Sequence, residues 1–191
     1  MLDLPECQII LSRLKNECPP SLRYHTLPHT LDVFNCAMDI AKAENINIQE
    51  TKLIGIAAVY HDSGYLIQSD RHEQISCEIA QQHLPDYGYS DFELQKICEL
   101  IMATVIPQNP KTHLEKIICD ADMDYLGRED FFTTGNLLFE ELKLSGILSD
   151  EAEWNRIQVD FLNQHRFFTP ISIRLRQPTK HKNLEILKAK L

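Results

Sequence analysis

Three short stretches concentrate imidazole and carboxylate groups: YHTLPHTLDV over residues 24–33, VYHDSG over 59–64 and CDADMDYLG over 119–127. In the second, an apolar run through Leu53, Ile54, Ile56, Ala57, Ala58 and Val59 finishes on His61-Asp62. Polar side chains beside a core cost free energy unless something pairs with them. Imidazole nitrogen and carboxylate oxygen are good ligands for borderline divalent cations. Helical proteins assemble such sites from side chains on separate helices. Two neighbours on a regular helix point about 100° apart, so His61 and Asp62 converge on one ion only if the helix ends there. Ser63-Gly64 permit that ending, and the free carbonyls of a last turn favour a nearby cation.

The elements that position these groups read as helices throughout. PECQIILSRLKNEC places Ile9, Ile10, Leu11 and Leu14 on one face and stops at Pro19-Pro20. LPHTLDVFNCAMDIAKAEN follows, with Pro28 tolerable in a first turn and Leu31, Phe34, Met38 and Ala41 at helical spacing. Asn47 with Glu50, Asp70 with Glu73, Ser90 with Glu93 and Thr112 with Glu115 have capping-box spacing. Further helices fit REDFFTTGNLLFEELKLSG, SDEAEWNRIQVDFLNQHRFF and the segment after Pro170, which Pro178 is expected to interrupt. About eight helices with short loops, without a strand–helix alternation, predict an all-α bundle.

A chain of 191 residues is most simply one domain, 1–191. Its formal net charge of -9 disfavours stable nucleic-acid binding, which needs a basic surface. No apolar run suffices to cross a bilayer. The six cysteines are scattered and form no CxxC pair, as expected of buried thiols in a reducing, cytoplasmic setting.

The order His29, His61-Asp62, Asp122 resembles the HD-domain superfamily of metal-dependent phosphohydrolases, over residues of about 20 to 128, with helices 129–191 packed on that core. The resemblance implies a metal site in the helical core with His29, His61, Asp62 and Asp122 as ligands. Asp122 is preferred to Asp120 and Asp124 because the family's last ligand usually follows alanine. It implies hydrolysis of a phosphoester in a nucleotide or other small phosphorylated metabolite. The cofactor would be a divalent metal ion: Mn, Ni, Co, Fe, Mg or Zn. Asp62 and His72 are the expected catalytic residues, Asp62 taking a proton from the attacking water and His72 assisting the leaving group. His25, Arg71 and Arg128 are the candidates for binding substrate. No membrane partner is implied, and a homo-oligomer is compatible with the pattern.

The chain departs from relatives in two places. Tyr65 follows HDSG where many have lysine, and Thr104 and Val105 stand where dinuclear members place further histidines. The second departure disfavours the di-iron oxygenase chemistry that the same scaffold supports. A regulatory module that binds a nucleotide or metal without turnover is the other alternative.

Overall fold

A helix start leaves backbone donors that no helical turn can satisfy, and a capping side chain is one way to pair them. The computed structural model describes residues 1–191 and contains α-helices α1 (Pro5–Glu17), α2 (Leu27–Ala43), α3 (Ile48–Tyr60), α4 (His72–His83), α5 (Asp91–Ala103), α6 (His113–Asp122), α7 (Phe131–Leu144), α8 (Glu151–Gln164) and α9 (Pro170–Lys188). There is no strand, as the periodicity predicts. Asn47 accepts from the Glu50 N–H at 2.9 Å. Ser90 and Glu93 cap one another at 3.4 and 2.9 Å, and Thr112 and Glu115 do so at 3.2 and 3.4 Å.

Two expectations fail. Asp70 does not cap α4; Arg71 precedes the helix with φ 53°, a left-handed turn that takes Asp70 out of line with the first amides. Pro178 does not interrupt α9. Packing on both sides of it holds the helix: Ser172 lies buried before it, and Lys180, Asn183, Leu184 and Leu187 after it. Asn183 also donates to the carbonyls of Leu126 and Arg128 at 3.0 and 3.1 Å.

The chain divides into two compact units, one of Met1–Pro19 with His25–Asp122 and one of Pro20–Tyr24 with Met123–Leu191. In the first, α2 packs on α3 and α6, and α5 packs on α3, α4 and α6. Val33, Phe34, Ile54, Ile56, Ile97, Ile101, Ile117 and Ile118 fill its interior. Each such side chain stabilises the fold by roughly 1.5–3 kcal/mol on burial.

The second unit is centred on Tyr24, Met123, Tyr125, Leu126, Phe131, Val159, Leu162, Phe167, Leu184 and Leu187. Here α9 lies along the 3-10 turn Asp124–Gly127. A Cβ on Gly127 would collide with the backbone of Arg176, so only glycine allows this approach. Asp124 receives the Arg176 Nε at 2.7 Å. Buried Glu141 accepts the backbone N–H groups of Arg23 and Tyr24 at 2.8 and 2.9 Å. Lys180, also buried, donates to the His165 carbonyl and, at 3.2 Å, to His165 Nδ1.

Glu141→Ala leaves two amides without their acceptor, at about 1–3 kcal/mol for each buried group left unpaired. Urea unfolding should show a loss in that range or above. Burial and the Lys180 charge lower the His165 pKa from 6.5 to about 3. The unfolded chain therefore takes up a proton below pH 6.5 that the folded one refuses until about 3, and stability drops with pH across that window. Between pH 7 and 5 the wild type should lose more of its urea midpoint than His165→Gln.

Candidate metal centre

His29 stands in the first turn of α2, where the missing N–H of Pro28 is no loss because first-turn amides have no helical partner. α3 stops at Tyr60. His61 still has helical dihedrals, whereas Asp62 moves to φ -105° and ψ 7°. That break turns two adjacent side chains, divergent on a continuous helix, toward one point. Asp122 is the last residue of α6. All four side chains are buried.

The ligand atoms of His29, His61 and Asp122 all lie within 4.8 Å of one another. Asp62 adjoins them through Oδ2, 3.3 Å from His29 Nε2 and 3.1 Å from His61 Nε2. Asp122 Oδ1 is 3.4 Å from His29 Nε2 and 3.7 Å from His61 Nε2. His61 Nδ1 sits 2.8 Å from the Ala58 carbonyl, a contact that requires its N–H. In the neutral ring Nε2 then carries only a lone pair. That lone pair faces a carboxylate, and neither His61 Nε2 nor Asp62 Oδ2 has a hydrogen-bond partner. A cation placed among these acceptors satisfies them all, and the donor set of nitrogen and oxygen suits a borderline divalent ion. The residues fit a metal.

Electrostatics point the same way. Burial works against ionisation of Asp62, but His61, His29 and His72 outweigh it and hold its pKa well below the usual carboxylate range. Burial likewise opposes protonation of His29, and Asp122 and Asp62 overcome that and push it up to about 10. The pKa of His61 is raised against burial, chiefly by Asp62. Asp62 likewise dominates the upward shift at His72. The cluster demands positive charge.

His72 opens α4 and turns inward, with Nε2 3.4 Å from both Asp62 Oδ1 and Glu73 Oε1. Its Nδ1 is 3.1 Å from the Ser69 carbonyl. The Tyr65 ring contacts two imidazoles, stacked on His25 and tilted against His72, with a centroid distance of 4.1 Å to each. Gly64 makes this geometry accessible: a Cβ there would collide with the His72 carbonyl, and its N–H donates to Ser76 Oγ at 2.8 Å. Of the other candidates, Arg71 is exposed beside His72. Arg128 belongs to the second unit, where Asp130 accepts its fork at 3.0 and 3.1 Å. One neighbour carried no signal in the sequence: Gln108 donates from Nε2 to Asp122 Oδ2 at 3.3 Å.

An all-helical unit that buries two histidines and two aspartates at helix ends is the architecture of one class of proteins. Residues 26–124 match the HD domain family, more than half of the chain, and the protein belongs to that family. Solved structures share the fold. A predicted HD superfamily hydrolase from an uncultured Thermotogales bacterium is 19% identical with a TM-score of 0.66, covering 99% of this chain and 93% of its own. A Lactobacillus plantarum protein is 16% identical with a TM-score of 0.68, covering 100% and 98%. Bacillus subtilis YpgQ, solved in complex with ADP, is 15% identical with a TM-score of 0.64, covering 97% of each chain. No curated protein matches the sequence.

Gly64→Ala forces the 3-10 turn Ser63–Leu66 away from α4. Overpacking of this kind costs about 1–3 kcal/mol, which urea unfolding of the variant should register.

Proposed function

We propose that this protein is a metal-dependent phosphohydrolase acting on a nucleotide or another small phosphate ester. The observation that carries the reading is the buried meeting of His61 Nε2 and Asp62 Oδ2, both without a hydrogen-bond partner, beside His29 and Asp122. His29, His61, Asp62 and Asp122 would hold the ion. A divalent cation in this place supplies Lewis acidity, bringing the pKa of a bound water toward neutrality and drawing charge from phosphoryl oxygens.

The chain's own groups divide the remaining work. Asp62 has one oxygen, Oδ2, toward the imidazoles and the other, Oδ1, 3.4 Å from His72 Nε2. It remains ionised at neutral pH because the imidazoles around it favour the charged form. Oδ1 is thus the acceptor for a proton leaving the attacking water. His72 has the same carboxylate and Glu73 at its Nε2, which favours its protonated form and suits it to donate to the leaving oxygen. The Tyr65 ring, tilted against His72 with centroids 4.1 Å apart, supports that orientation by contact. His25, stacked on Tyr65, and exposed Arg71 are the proposed contacts for the substrate's anionic oxygens. The ADP bound by Bacillus subtilis YpgQ supports a nucleotide as the substrate class. No helix is long and apolar enough to cross a membrane, and none is needed for a small substrate.

Phosphate release from a panel of nucleotides, run with metal analysis, tests the reading. Asp62→Ala should lower turnover at least about 100-fold, the lower range for a lost general base, with an unchanged helical circular-dichroism spectrum. Wild-type turnover in that variant would remove the mechanism. Binding of nucleotide or metal without phosphate release would mark a regulatory module, and oxygen uptake with bound iron an oxygenase.

A further inference from the structure

Gln108 lies in the loop between α5 and α6 and makes an asymmetric contact. Its Nε2 is 3.3 Å from Asp122 Oδ2. Only the amide's N–H side can face a carboxylate, so the orientation of the side chain is set. The carbonyl, Oε1, then points elsewhere, and it is buried with no hydrogen-bond partner. Leaving a buried acceptor unpaired costs roughly 1–3 kcal/mol, and such groups in native folds call for an explanation by function or by a bound water or ion.

The contact divides the two oxygens of Asp122. Oδ2 accepts from Gln108, and Oδ1 is 3.4 Å from His29 Nε2 and 3.7 Å from His61 Nε2. A terminal carboxylate torsion has broad, roughly two-fold preferences, so without this donor the group could swing or present both oxygens at once. A donor on one oxygen holds the plane of the carboxylate and reserves the other oxygen for the centre. Groups that orient metal ligands in this way commonly contribute 10–100-fold in metal affinity.

We infer that Gln108 is a positioning residue of the metal centre: its amide N–H fixes Asp122 so that Oδ1 alone is offered to the cation, and its unpaired carbonyl receives a hydrogen-bond donor that accompanies the bound ion. The inference rests on the reading of the cluster as a metal site, but not on the reaction catalysed there. Gln108→Met keeps the length of the side chain and removes both polar atoms.

The test uses the full chain, stripped of metal and titrated with Co2+ against a chromophoric chelator. Gln108→Met should weaken Co2+ binding about 10–100-fold and shift the visible absorption band of the cobalt form, because the carboxylate is no longer held to one mode of ligation. The melting midpoint of the metal-free protein should fall only slightly, because the loss of the donor to Asp122 Oδ2 is partly offset by removing an acceptor that was itself unpaired. Gln108→Ala, expected to act in the same direction, serves if the methionine variant fails to fold. Wild-type affinity and an unshifted band in a folded variant would overturn the role of Gln108 and leave the metal site standing. A fall in metal-free melting that accounts for the whole loss of affinity would make Gln108 merely structural and overturns the role as well. Failure of the wild type to bind Co2+ would remove the metal reading and this inference together.

Discussion

Acceptors facing acceptors are the central constraint in this protein. His61 has its only neutral N–H engaged by the Ala58 carbonyl, so the nitrogen it turns inward brings a lone pair to a place already occupied by carboxylate oxygens. Repulsion of this kind inside a core would open the fold unless positive charge offsets it. The raised histidine pKa values and the depressed Asp62 value are the same demand expressed in protons. The surrounding helices supply rigidity: α3, packed against α1, α2, α5 and α6, cannot turn His61 away without disturbing several neighbours at once.

Helix termini, rather than helix faces, deliver the four clustered side chains. His29 comes from a first turn, His61 and Asp62 from the end of α3, and Asp122 from the last position of α6. Termini are where backbone direction changes, so side chains adjacent in sequence can be turned together there. The close approach of Gly64 to His72 adds the fifth group by seating the start of one helix against the turn that ends another. The lack of a side chain at this one position thus couples two elements of the centre.

Much of this was legible in the residues. The four clustered side chains stood out because histidine and aspartate amid apolar neighbours contradict the usual partition between core and surface, and the starts of α3, α5 and α6 were marked by caps that act within three residues. What depended on distant contacts was not legible. Arg71, in a left-handed conformation that disfavours most side chains, displaced the cap expected at Asp70. α9 passes through Pro178 because of packing that no local propensity records. The division of the chain between Asp122 and Met123 falls inside CDADMDYLG, without the composition change that marks a linker. Gln108 is an ordinary polar residue in a loop, and only its proximity to Asp122 distinguishes it.

The clasp at Glu141 has a bearing on the order in which the chain matures. Its carboxylate lies 117 residues beyond the Tyr24 amide that it receives, and that amide immediately precedes the segment leading to His29. As the polypeptide emerges from the ribosome, the amides of Arg23 and Tyr24 therefore wait for their acceptor until α7 has been made. The four clustered side chains have all been synthesised by then, and the clasp closes only with a residue that follows the last of them in the chain.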